Sequence, residues 1–145
     1  EPRVIDALYE ASQAGVKIEV IGRGTRVPRP GDLGHSDNNT LRSILGRYLE
    51  HSRVYYFYSD GEEEIFCASA DWMERNLLHR NESCFPVRQK TLKEQVKRDL
   101  ELYLADNCNA WVLHGDGSYE RLQPGDREAV SAQETLLQLF ALPSG

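Results

Sequence analysis

Long hydrophobic runs are missing from these 145 residues. Nothing approaches the roughly 18 apolar residues of a membrane span. Cysteine is scarce. Cys67, Cys84 and Cys108 are an odd number without a C-x-x-C pair, which argues against a disulfide framework and a zinc knuckle. Reduced thiols in a cytosolic protein fit better. The opening Glu1-Pro2-Arg3-Val4-Ile5-Asp6 lacks the basic start and apolar stretch of a signal peptide. Met is absent from the first position, so the chain is expected to be processed or cut from something larger. Lysine is rare: Lys17, Lys90, Lys93 and Lys97 are the only lysines among 17 basic residues. Several phosphate and hydrolase motifs are lacking too. There is no G-x-x-x-x-G-K-[ST] loop, no dinucleotide-binding glycine fingerprint and no nucleophile elbow. No two of His35, His51, His79 and His114 have metal-ligand spacing.

What is present supports a folded chain. Hydrophobic residues make up 40% and charged residues 28%, enough apolar material for a core. The length suits one domain over residues 1–145. A net charge of −6 argues against a general nucleic-acid coat. The charge is unevenly spread. Arg23, Arg26, Arg29, Arg42, Arg47 and Arg53 face only Asp32, Asp37 and Glu50 across residues 22–54. That segment nets +3 and leaves −9 for the rest. Guanidinium groups match phosphate oxygens as planar forks, so this segment suggests a local anion site. Ordinary surface arginine would look the same.

Periodicity predicts a helix over residues 2–14, then a Gly15 turn and a strand at Lys17–Ile21. This is half of an α/β unit. Gly22 to Asn39 is predicted as a loop at the carboxyl end of that strand. Thr40 to His51 is predicted helical, with Leu41, Ile44, Leu45, Tyr48 and Leu49 on one face. Val54–Tyr58 and Glu64–Ala68 read as strands around an Asp60-Gly61 hairpin turn. Ser69–Leu78 holds a turn and a short helix, with Asp71 as its N-cap and Trp72 and Met73 as core. Cys84–Val87 reads as a short edge strand because of Pro86. Thr91 and Glu94 form a capping box for a helix with Leu92, Val96, Leu100, Tyr103 and Leu104 inside. A hairpin over Trp111–Leu113 and Tyr119–Leu122 follows, then a last helix near Ser131–Phe140.

The residues able to carry chemistry cluster early. His51, in Glu50-His51-Ser52-Arg53, stands between two predicted elements and could act as nucleophile, general acid or donor to phosphate, or simply be exposed. Ser69 and Asn76, within Ser69-Ala70-Asp71-Trp72-Met73 and Arg75-Asn76, could line the same cleft or merely shape a turn. Gly22-Arg23-Gly24 sits where backbone amides and Arg23 can hold an anion. Glu62-Glu63-Glu64 reads as a solvated tip.

These segments together resemble a known family. Gly22-Arg23-Gly24, the run Leu41 to Phe57 with its Glu50-His51-Ser52-Arg53, and Ser69-Ala70-Asp71-Trp72-Met73 with Arg75-Asn76 resemble the carboxy-terminal domain of bacterial polyphosphate kinase, the large type with a phospholipase-D-like core. The likeness extends to Leu8–Ser12, Leu102–Asn107 and Ser131–Gln133, nearly the whole chain. It implies an α/β fold of phospholipase-D-like type, a mixed β-sheet flanked by helices. It implies reversible transfer of the terminal phosphate of ATP to polyphosphate, with magnesium, through a phosphohistidine in a preceding domain that this chain lacks. Arg23 is then the arginine on the ATP phosphates, and His51 faces the same phosphates and assists transfer. Arg53 matches the lysine of the His-x-Lys pair of phospholipase-D-like proteins, and Ser69 and Asn76 match their Ser and Asn. The implied partners are ATP, ADP, polyphosphate, the preceding domains and further copies in a homo-oligomer, with no nucleic acid. The implied location is cytoplasmic, near membranes in the full-length protein.

The chain departs from the family at Thr25-Arg26-Val27-Pro28, at Leu78-His79-Arg80-Asn81-Glu82, where an Asp-Arg-Arg-Val-Glu run is usual, and in the loop His35–Thr40. These departures motivate a second expectation, a non-catalytic module binding nucleotide or polyphosphate. A third is a structural domain whose arginines are solvated surface.

Overall fold

A computed structural model describes residues 1–22 and 39–141. In chain order the elements are α1 (Pro2–Gln13), β1 (Ile18–Gly22), β2 (Asn39–Ile44), β3 (Arg53–Ser59), β4 (Glu62–Ala68), α2 (Glu74–His79), β5 (Cys84–Pro86), α3 (Lys90–Ala105), β6 (Ala110–Leu113), β7 (Tyr119–Arg121) and α4 (Ala132–Ala141). They fall into two compact units. One holds Pro2–Leu49 and Asp99–Gly145, the other Glu1 and Glu50–Arg98.

The first unit is built on a mixed sheet in the order β1-β2-β6-β7. β1 and β2 run parallel, with Val20 opposite Leu41, and the other pairs are antiparallel. Residues 40–44 are therefore strand and 45–52 are irregular, so the helix expected over Thr40–His51 is absent. The expected apolar face over residues 40–51 mixed two environments. Leu41, Ser43 and Ile44 are buried because β2 is paired on both edges, whereas Leu45, Tyr48 and Leu49 are 46%, 44% and 66% exposed. A short apolar run fits strand and helix periods alike, and ladder pairing on two sides decides between them. Leu41, Ile44, Ala110, Leu113 and Ala132 form the core.

Polar groups close this unit. Asp106 is 1% exposed, and its carboxylate accepts the amides of Cys108 (3.0 Å), Asn109 (2.7 Å) and Ala132 (2.8 Å). The last of these opens α4, so a distant carboxylate meets the orphan amide there. Ser131 does stand just ahead of the helix, but its hydroxyl accepts from Asn109 Nδ2 at 3.0 Å. Asn107 ties the same region to the chain before α4, accepting from Val130 N (2.8 Å) and donating to Glu128 O (2.9 Å). Arg42 Nη1 donates to Leu104 O in α3.

The second unit carries an antiparallel sheet in the order β3-β4-β5, with β5 at an edge as Pro86 required. The β3–β4 hairpin turns at Asp60 (φ 48°) and Gly61 (φ 86°), two successive left-handed residues that match the sheet twist. Ile65 is 1% exposed. Tyr55 stacks on Trp72, with centroids 5.5 Å apart, and Phe57 meets Phe66 edge to face at 6.2 Å.

Four local expectations are corrected here. Trp72 and Met73 are 39% and 43% exposed, since a single stacking partner covers only one side of the indole. The residue ahead of α2 is Met73 without a capping bond, because the Asp71 carboxylate is held by Arg53. α3 starts at Lys90, which places Thr91 inside its first turn, and Leu92 is 47% exposed. Glu63 is no free tip: its carboxylate accepts from Lys97 Nζ and from Tyr56 Oη (2.8 Å), and its carbonyl from Lys93 Nζ (2.7 Å).

Candidate functional site

Register fixes where the site lies. Arg53, the first residue of β3, pairs with Ala68, the last of β4. Arg53 and Ser69 therefore come to the same end of the hairpin, and α2 with Asn76 follows Ser69 directly. Three residues separated by 16 and 7 positions in the sequence are gathered by one turn and one ladder.

Arg53 donates through Nε and Nη2 to Asp71 Oδ1, each at 2.9 Å, and through Nη1 to the carbonyl of His51 at 2.6 Å. Its side chain is 26% exposed, so the ion pair is half-sheltered. The fork holds the backbone just ahead of β3 and thereby fixes where the His51 side chain begins. His51 itself is exposed. An exposed imidazole can meet an incoming anion as a hydrogen-bond donor.

Ser69 and Asn76 share one acceptor. Ser69 Oγ donates to Glu82 Oε2 at 2.5 Å, and Asn76 Nδ2 donates to Glu82 Oε1 at 2.9 Å. Ser69 Oγ also accepts the amide of Ser83 at 3.0 Å, and Ser69 N donates to Ser83 O at 3.0 Å. The hydrogen bonds from Ser69 and then Asn76 hold the Glu82 carboxyl below the usual carboxylate range, and the charges of Arg80 and Arg53 push the same way. Asn76 is 6% exposed, and its Oδ1 is buried with no hydrogen-bond donor among the described residues. Arg53 against Asp71 and Glu82 leaves this cluster at a formal −1, before Arg80 is counted.

Arg23 lies outside the described residues, as do Gly24 and the departures at Thr25–Pro28; β1 is described to Gly22. The structure thus gathers Arg53, Ser69 and Asn76 and attaches the backbone of His51 to them. Sequence reasoning missed two members. Asp71 was expected to cap a helix, and Glu82 was noted only within a divergent run. Neither contact has a sequence signal, since Arg53 to Asp71 spans 18 residues and Ser69 to Glu82 spans 13. Among the described residues, no group of three or more His, Cys, Asp or Glu is placed to hold a metal ion. No helix among them is long and apolar enough to cross a membrane.

The family model described as polyphosphate kinase C-terminal domain 2 matches residues 1–133. The polyphosphate kinase of Pseudomonas aeruginosa strain PAO1 is 55% identical over 144 residues, 99% of this chain and 21% of that protein. That of Xylella fastidiosa strain Temecula1 is 54% identical over 140 residues, 95% of this chain and 20% of that protein. The crystal structure of polyphosphate kinase from Porphyromonas gingivalis superposes with a TM-score of 0.85 at 35% identity, covering 97% of this chain and 22% of that one. The chain therefore spans about a fifth of the length of the relatives it matches. Its α/β architecture, with one mixed and one antiparallel sheet flanked by helices, is the phospholipase-D-like fold expected from the sequence. On the match over residues 1–133 and the identity to full-length relatives, the chain belongs to the polyphosphate kinase C-terminal domain family.

Proposed function

We propose that this chain is the carboxy-terminal part of the catalytic core of a polyphosphate kinase. It contributes to reversible transfer of the terminal phosphate of ATP to polyphosphate through a phosphohistidine carried by a preceding domain. Arg23 and His51 contact the ATP phosphates, with His51 assisting transfer, and Arg53, Ser69 and Asn76 line the cleft. The observation that carries this reading is an exposed His51 whose backbone is anchored by Arg53, within a chain 55% identical to a polyphosphate kinase over 144 residues. Phosphoryl transfer rests mainly on positioning and charge stabilisation, to which an Arg fork and an imidazole donor are suited. Single-domain organisation over residues 1–145, homo-oligomerisation and a cytoplasmic, membrane-proximal location belong to the same proposal. Use of magnesium belongs to the same proposal, with its ligands outside this chain.

The test has two parts. Calorimetry of this chain with magnesium and ATP is expected to show binding that weakens in His51→Ala. A chimaera in which this chain replaces the matching fifth of the Pseudomonas aeruginosa relative is expected to make polyphosphate, and to lose at least about 100-fold in turnover with Arg23→Ala or His51→Ala. An active chimaera indifferent to both substitutions would overturn the site assignment. A chimaera that binds ATP without turnover would favour the non-catalytic binding module.

A further inference from the structure

Three cleft residues are engaged by the protein's own acidic side chains. A serine hydroxyl has one proton to donate, and that of Ser69 goes to Glu82. Asn76 offers two N–H groups, and one goes to the other oxygen of the same carboxylate. Arg53 directs two of its donors at Asp71 and a third at the His51 carbonyl. In this arrangement phosphate oxygens would compete with carboxylates already in place. Ser69 and Asn76 therefore suit orientation of the cleft better than direct phosphate contact.

Glu82 is where these segments meet. Ser69 follows β4, Asn76 lies in α2, and Glu82 stands in the segment leading to β5. An ionised carboxylate accepts only, so it fixes which end of the Asn76 amide faces it and which way the Ser69 hydroxyl points. The amide oxygen of Asn76 is thereby turned away from Glu82, into a buried position with no donor among the described residues. An acceptor buried without a donor costs stability, so its fixed orientation calls for a reason other than folding.

We propose that Glu82 is a positioning residue for the phosphoryl transfer assigned above. It holds Ser69 and Asn76 as one rigid unit that acts through orientation and not through contact with phosphate. This inference rests on the kinase reading, and its test separates the two.

In the active chimaera, Glu82→Gln is expected to lower kcat about tenfold while KM for ATP changes by less than about twofold. Adding Asn76→Ala to Glu82→Gln is expected to cost little more, because both act through one hydrogen bond. Unchanged turnover in Glu82→Gln, a raised KM at normal kcat, or penalties that multiply in the double variant would each overturn the proposal. A second readout does not depend on activity. In the NMR spectrum of the 145-residue chain, the side-chain amide of Asn76 is expected to shift in Glu82→Gln while the core amides of Leu41 and Ile44 stay in place. An unmoved Asn76 amide would overturn the geometry whether or not the chimaera turns over. A chimaera without turnover beside a shifted Asn76 amide would count against the kinase reading alone.

Discussion

The side-chain amide of Gln133 pairs with the backbone of Tyr48 as a strand would: Oε1 accepts from Tyr48 N at 2.9 Å, and Nε2 donates to Tyr48 O at 2.8 Å. Gln133 is 5% exposed, so both bonds are sheltered from water. Gly46 makes room for it, since a Cβ there would lie 2.2 Å from Gln133 Oε1. One buried amide thus organises an irregular segment that follows β2, 85 residues away in sequence.

Gln133→Ala is expected to destabilise the chain by about 2 kcal/mol, because it leaves the Tyr48 amide and carbonyl without partners. Gly46→Ala is expected to cost about 1–3 kcal/mol, because Gln133 can yield only by breaking both bonds. The two effects are not additive. In a Gln133→Ala background the obstruction is gone, so Gly46→Ala should add less than about 0.5 kcal/mol. Urea unfolding of the four proteins checks this.

Asp106→Ala is expected to be among the most damaging single changes, at about 3 kcal/mol or more. It strands three amide donors, one of them buried at the start of α4. Asp106→Asn keeps one acceptor oxygen and should cost less. Thermal melts of the two variants beside wild type rank them.

The Glu63–Lys97 pair gives a pH signature with both signs. Hydrogen bonds from Lys97 and then Tyr56 hold the Glu63 carboxyl below its ordinary value, and the bond to Glu63 raises Lys97. The depressed carboxylate stabilises the fold above its unfolded value of about 4.3, and this is lost as pH falls through the folded value. The raised ammonium stabilises below about 10.4, and this is lost as pH rises through its folded value. The Tm difference between wild type and Lys97→Met should therefore be flat between about pH 5 and 10 and shrink at both ends. Both side chains are partly exposed, so the plateau itself will be small.

Asp71→Asn should free much of the Arg53 guanidinium, because a neutral amide competes poorly for it. Affinity of the chain for tripolyphosphate at low salt is expected to rise about threefold, and the gain to fade at 0.5 M salt, roughly where the screening length drops below 5 Å. Isothermal titration at two ionic strengths reads both outcomes.

The sequence by itself determined the elements whose period is strong and whose ends are marked. α1 ends near Gly15, the Asp60-Gly61 hairpin turns where expected, and α3 and α4 lie within a residue or so of their expected starts. It also carried the family, because Gly22-Arg23-Gly24, Glu50-His51-Ser52-Arg53 and Ser69–Asn76 hold their order and spacing. Tertiary structure decided the rest. Residues 40–44 became a strand because β1 and β6 pair with both its edges, a fact no local window contains. Asp71 left its expected cap for Arg53, and Glu82 became the shared acceptor of Ser69 and Asn76, because β3–β4 pairing and β4–β5 pairing bring distant residues within hydrogen-bond reach. Local periodicity records which face of an element is apolar. Which polar groups find one another depends on long-range register, and that is fixed only when the sheets assemble.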